Sequence, residues 1–189
     1  MTTLVVVKKA GYAVIAGDSL TTFGGVKLLP HYDKSHDKIL RAHGSYFGIA
    51  GSAAHHLVME SILNKGNEMK FGSKMEIFET FRKLHPVLKE EHFLNPKEDE
   101  DDPYESSQLT SLIVNKAGIF GVYSMREVFE FDGFWSIGSG REFALGAMFS
   151  QYDVLKTAED VARAGVIAGC EFDTSSCMPM SLYKVKLAK

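Results

Sequence analysis

Met1-Thr2-Thr3-Leu4-Val5-Val6-Val7-Lys8-Lys9-Ala10-Gly11-Tyr12-Ala13-Val14-Ile15-Ala16-Gly17-Asp18-Ser19 opens the chain, and this stretch decides the fold. Leu4–Val7 and Ala13–Ile15 are short apolar runs rich in β-branched residues, joined by a Lys-Lys-Ala-Gly turn. Such runs, bounded by turn residues, predict a β-hairpin. A half-exposed strand would alternate apolar and polar residues, whereas these runs are continuous. Both faces of the sheet must therefore be covered. The start of the hairpin carries a second message. Thr2 is small enough to permit removal of Met1, and the chain would then begin with a threonine at the head of a buried strand. An N-terminal threonine holds a hydroxyl nucleophile and its own base, because an α-amino group has an ordinary pKa of about 7.7–8.0. It can take the hydroxyl proton near neutral pH, through a water molecule.

Working outward, residues 19–37 carry Gly24-Gly25 and Pro30 and read as irregular. A second hairpin is predicted from Lys38–Arg41 and Tyr46–Ala50 around His43-Gly44-Ser45. Gly51-Ser52 opens a helix capped by Ser52, with Leu57, Val58, Ile62 and Leu63 as its stripe and Asn64-Lys65-Gly66 as its end. A second helix is expected over Ser73–Phe93. Ser73 and Glu76 have capping-box spacing, Ile77, Phe78, Phe81, Leu84 and Leu88 recur at helical spacing, and Pro86 should kink or interrupt the helix. Residues 94–107, with two prolines and dense negative charge, read as an unpacked acidic loop. Leu109–Val114 and Ile119–Tyr123 form a third hairpin, followed by strands near Glu127–Phe131 and Phe134–Gly140. Helices over Arg141–Tyr152 and from Thr157 to about Cys170 precede a last strand at Met180–Val185. Strands, two helices, strands, two helices and a strand, with sheets covered on both faces, predict an α+β fold. Its economical packing is a four-layer αββα sandwich in one domain spanning residues 1–189.

Composition narrows the function classes. The 189 residues are 45% hydrophobic and 24% charged, with a net charge of −3 and no basic stripe of the kind nucleic-acid binders carry. No apolar run approaches the roughly 20 residues of a membrane helix, and no signal-peptide pattern is present. Cys170 and Cys177 read as reduced thiols of a cytoplasmic protein. The seven histidines fall in no zinc spacing, and the glycine pairs match neither a P-loop nor a dinucleotide fingerprint. No cofactor is expected, and any ATP hydrolysis must come from a separate ATPase partner.

Five stretches then carry a resemblance: Thr2-Thr3, Ala16-Gly17-Asp18, Asp37-Lys38-Ile39, Ala50-Gly51-Ser52-Ala53-Ala54 and Ile137-Gly138-Ser139-Gly140. In this order, on this pattern of elements, the chain resembles the proteasome β-type subunits and their bacterial relative HslV. The nearer likeness is to the bacterial proteasome homologues distinct from HslV. The resemblance implies an N-terminal-nucleophile threonine endopeptidase with the αββα fold, built as a stacked double ring around an inner chamber. Seven subunits per ring are favoured over six. It implies Thr2 as nucleophile, and Lys38, kept charged by Asp18, to hold the amine neutral. Lys34 is the rival if the longer spacing after Asp18 is placed elsewhere. It implies the Gly51 backbone N–H as oxyanion donor and Ser139 beside the amine, with Asp173 and Ser176 in support and Ser175 as the alternative. Thr21, His36, Ile49 and Ala53 would line an apolar pocket for the residue preceding the scissile bond. Arg41, shifted relative to Lys38, argues against docking an HslU-type unfoldase. Two other functions share the fold: a non-catalytic ring-forming subunit, and an amidase acting on a small molecule.

Overall fold

The computed structural model of the protein describes residues 2–65, 69–96 and 101–188. In chain order the strands and helices are β1 Thr3–Lys9, β2 Tyr12–Gly17, β3 Thr21–Phe23, β4 Val26–Leu28, β5 Ile39–Ala42, β6 Ser45–Ala50, α1 Ala53–Asn64 and α2 Lys74–Glu90. Then follow β7 Thr110–Asn115, β8 Gly118–Val122, β9 Val128–Phe131, β10 Phe134–Gly138, α3 Arg141–Gln151, α4 Ala158–Phe172 and β11 Ser181–Lys186. One sheet has the strand order β10-β1-β2-β11 and the other β5-β6-β7-β8-β9.

The continuous apolar runs are explained by three packed layers of side chains. Successive residues of a strand point to opposite faces. Leu4, Val6 and Ile15 face the second sheet and meet Leu112, Val114 and Ile119. Val5, Val7, Val14 and Ala16 face the other way, onto Met148 of α3 and Val161 and Val166 of α4. On the far side, Phe47, Ile113 and Phe120 of the second sheet pack against Ile62 of α1 and Phe81 and Leu84 of α2. The result is the expected αββα sandwich. The helix starts are also local: Ser73 Oγ accepts from the Glu76 N–H at 3.2 Å, and Thr157 Oγ1 accepts from the Asp160 N–H at 3.1 Å. No helix among the described residues is long and apolar enough to cross a membrane.

Four expectations need correction. Residues 19–37 are not wholly irregular, because β3 and β4 pair in a small hairpin of their own, followed by a 3-10 turn at Pro30–Tyr32. Pro86 does not interrupt α2, which continues to Glu90 and stops short of Phe93. Leu57 is exposed, and α1 buries Met59, Ile62 and Leu63 instead, while Phe78 stands at the rim of the α2 stripe. The acidic loop is packed at both described ends. Leu94 joins the outer core, Ser106 and Ser107 are buried, and Glu105 bonds His85 Nε2 at 3.1 Å. Its serines and hydrophobic ends find partners that a count of charges does not foresee. Gly66, the expected end of α1, and residues 97–100 of the acidic loop lie outside the described residues, as does Met1.

Candidate active site

Strand register builds the site. β1 lies between two partners, with Thr3 opposite Gly138 of β10 and Leu4 opposite Gly17 of β2. One step beyond each pair, Thr2 meets Ser139 and Thr3 meets Asp18. Thr2 and Asp18 are both buried. A one-residue slip would turn every side chain of β1 to the opposite face and carry Thr2 and Thr3 away from Ser139 and Asp18. Lys38 arrives from the other sheet, immediately before Ile39 of β5 pairs with Gly48.

Asp18 sits at the centre. Its Oδ1 accepts from Thr2 Oγ1 at 2.6 Å, the Thr3 N–H at 3.0 Å and Lys38 Nζ at 2.8 Å. Its Oδ2 accepts from the N–H groups of Leu20 at 2.9 Å and Cys177 at 3.2 Å. Lys38 Nζ also donates to Thr2 Oγ1 at 2.9 Å. Lys34, the rival lysine, is exposed to solvent. On the other side of Thr2, its backbone nitrogen donates to Ser139 Oγ at 3.2 Å. In the full chain that nitrogen is the amide of the Met1–Thr2 peptide bond, and it marks the place an α-amino group would take. Ser139 Oγ donates to Asp173 Oδ2 at 2.7 Å, and Ser176 Oγ donates to the same oxygen at 2.7 Å.

Six of the expected residues, Thr2, Asp18, Lys38, Ser139, Asp173 and Ser176, are thus joined through hydrogen bonds. Thr3 and the backbone of Cys177 belong to the same network and were missed by the sequence reading. The Thr3 and Ser176 hydroxyls lie 2.8 Å apart although 173 positions separate them. No local signal marks such a pair. What admits the Thr3 side chain is a glycine slot: a Cβ on Gly169 of α4 would come within 2.9 Å of Thr3 Cβ. Burial pushes the Cys170 thiol up to about 12, with the negative charge of Asp18 adding to it, so this cysteine is no nucleophile near neutral pH.

The remaining expected residues stand outside that network. Gly51 precedes the Ser52 cap of α1 and has φ of 127°. Thr21 is half-buried at the start of β3, Ala53 is the exposed first residue of α1, and Ile49 is buried in the outer core at the end of β6. His36 Nδ1 lies 3.0 Å from the Asp33 carbonyl oxygen.

Two substitutions test how the site is held. Gly138 has φ of 97°, and a Cβ there would lie 2.8 Å from the Thr2 carbonyl carbon. Gly138→Ala is expected to displace Thr2 and to lower stability by more than about 1 kcal/mol, read by thermal unfolding. Beside Lys38, Asp37 accepts from the Ile39 N–H at 3.0 Å and from the Tyr183 hydroxyl of β11. That bond, with burial and the Asp37 charge, pushes Tyr183 up to about 12. A phenol with its folded pKa raised above the ordinary value of about 10 stabilises the fold below pH ~10. This contribution is lost as pH rises through the folded value. In alkaline unfolding, Tyr183→Phe is expected to be less stable than wild type at neutral pH and to converge with it above pH ~10.

No family model matches the chain, and no curated protein does. Solved structures do. Thiobacillus denitrificans BPH in complex with epoxomicin superposes with a TM-score of 0.92 and 38% identity, covering 99% of this chain and 100% of that one. A second structure of Thiobacillus denitrificans BPH matches with a TM-score of 0.92 and 38% identity, over 98% of each chain. Eukaryotic HslV from Trypanosoma brucei shares the fold, with a TM-score of 0.72 and 21% identity over 97% of this chain and 99% of that one. With the αββα sandwich and a 38% identical bacterial proteasome-like structure matched end to end, the chain belongs to the proteasome β-type and HslV family of peptidase subunits.

Proposed function

We propose that the protein is a threonine endopeptidase whose nucleophile is Thr2 after removal of Met1. The observation that carries this reading is the placement of Thr2 Oγ1 between Asp18 and Lys38, 2.6 and 2.9 Å away. The lone pairs of Asp18 are engaged by Lys38 and three backbone N–H groups, which leaves the freed α-amine as the base. The positive charge of Lys38 disfavours a second one on that amine and keeps it able to accept a proton. The amine takes the Thr2 hydroxyl proton as Oγ1 attacks the scissile carbonyl carbon, and the carbonyl oxygen becomes an oxyanion. Gly51, at the positive end of α1, donates its N–H there. Collapse breaks the C–N bond, the ammonium returns its proton to the leaving amine, and an ester to Thr2 remains. Water, deprotonated by the same amine, hydrolyses the ester. Ser139, tied to Asp173 and through it to Ser176, fixes the amine. Thr21, His36, Ile49 and Ala53 shape the pocket for the residue before the scissile bond, which favours apolar side chains.

The assembly belongs to the same proposal: a cytoplasmic homo-oligomer of stacked rings, seven subunits to a ring, taking peptides or unfolded chains from a separate unfoldase. Support comes from the outer face of α3 and α4. Phe149 is 79% exposed and Phe172 66% exposed, with the Phe143 ring tilted against that of Phe172, centroids 5.6 Å apart. Apolar surface of this kind calls for a covering copy.

Intact mass before and after incubation with a peptide epoxyketone tests the reading, because that reagent needs both the hydroxyl and the free amine of an N-terminal threonine. Epoxomicin, bound in the Thiobacillus relative, is a second probe. Loss of the methionine mass and one adduct per chain are expected. A chain without Met1 that takes no adduct from either probe overturns the proposal.

A further inference from the structure

Among the described residues, two buried side-chain polar atoms have no hydrogen-bond partner: His55 Nδ1 and His92 Nε2. Both side chains line one cavity of about 200 Å³, between α1 and the C-terminal end of α2. Its other walls include Val58 and Met59 of α1, Leu88 of α2, Ser107 and Leu109, and among the described residues no carboxylate, lysine or arginine lines it. An unpartnered buried nitrogen costs about 1–3 kcal/mol, and native proteins hold few of them. Two in one chamber mark it as shaped for something with a polar end. Water can meet the two nitrogens but leaves the mostly apolar walls unfilled. An apolar chamber of about 150 Å³ accommodates benzene, so this one accepts a ring or short aliphatic chain plus a small head group.

We propose that this cavity is a binding site for a small aromatic or aliphatic carboxylate, its body against Val58, Met59, Leu88 and Leu109 and its oxygens accepting from the ring N–H groups of His55 and His92. The helix field favours an anionic head: His55 and its neighbour Ala54 lie in the first turn of α1, at its positive end. Burial pulls the His55 imidazole below its ordinary range, so the head is met by a neutral ring N–H and not by an imidazolium. The site shares no lining residue with the Thr2 network. It does touch the oxyanion turn proposed above: His55 Nδ1 lies 3.5 Å from where a Cβ on Gly51 would stand. A ligand on His55 therefore sits beside the Gly51 turn; the importance of that neighbour, unlike the binding itself, rests on the peptidase reading.

The test is isothermal titration calorimetry of the full-length protein with phenylacetate and hexanoate, against benzyl alcohol and hexanol. Expected are carboxylate binding at millimolar Kd or tighter, at least about tenfold weaker binding of the alcohols, and a loss of about tenfold or more in His55→Leu and in His92→Leu. Thr2→Ala should bind as wild type does, which separates this result from any failure of the peptidase proposal. Should the histidine variants not fold, Val58→Phe, which fills the chamber, must weaken binding by the same factor. No heat with either carboxylate to about 10 mM, alcohols binding as well as acids, or binding unchanged in the folded variants overturns the proposal.

Discussion

Thr2→Ala is expected to abolish peptide hydrolysis and epoxyketone labelling while leaving the fold in place. Losing the proposed attacking hydroxyl removes the covalent route itself, and removal of a hydrolase nucleophile lowers kcat by on the order of 10⁴-fold or more. The structural consequence is small. Asp18 loses one of five donors and keeps Lys38 and the N–H groups of Thr3, Leu20 and Cys177. The expected loss of stability is about 1 kcal/mol, the net value of one hydrogen bond. Thr2→Ser, which keeps both hydroxyl and amine, should retain activity. Hydrolysis of a fluorogenic peptide, with a melting curve on each variant, checks both halves. Full activity in Thr2→Ala would remove Thr2 from the mechanism.

Lys38→Met is expected to damage both stability and chemistry. The Asp18 side chain is fully buried and that of Lys38 is 14% exposed, with Nζ 2.8 Å from the carboxylate. Removing one partner of a buried ion pair leaves the other uncompensated, a loss of about 3–5 kcal/mol. Activity should fall by about 10²–10⁴-fold, the range for a group that governs proton transfer, because nothing then keeps the proposed α-amine from holding its proton. The two effects separate by pH: at alkaline pH the amine is free without help, and the rate of a folded Lys38→Met variant should recover in part. Asp18→Asn is expected to be worse for the fold. An amide has one acceptor oxygen, so its NH₂ must face either Lys38 and Thr3 or Leu20 and Cys177, all of them donors. Denaturant unfolding of the two variants side by side gives the order.

Much of the fold was legible because it is written in local pattern. The unbroken apolar runs of β1 and β2 demanded cover on both faces, and with four amphipathic helices that leaves few arrangements besides αββα. Ser52, Ser73 and Thr157 announced helix starts because a cap bonds only two or three residues ahead. Asp18 and Lys38 were readable by resemblance. Thr3 was not, although its hydroxyl contacts Ser176, and neither was the pocket of His55 and His92. The packed serines of the acidic loop escaped for a related reason, since Ser107 meets His85 and the Ser124 carbonyl. The small hairpin of β3 and β4 escaped although its Gly24-Gly25 turn is local, because three-residue strands carry too little apolar pattern to show a period.

The sequence by itself determined most of the strands and helices, the β3–β4 hairpin apart, where they turn, and that both sheets lie inside. Period, cap and turn chemistry act over a few residues, and each favours one local geometry. Only the tertiary structure decided that Lys38, just before the second sheet, reaches Thr2 at the head of the first, that Asp18 gathers five donors from four segments, and that Gly169 of α4 admits Thr3 to the hydroxyl of Ser176. Those contacts depend on strand register and on how closely layers approach, and both follow from the packing of the whole core.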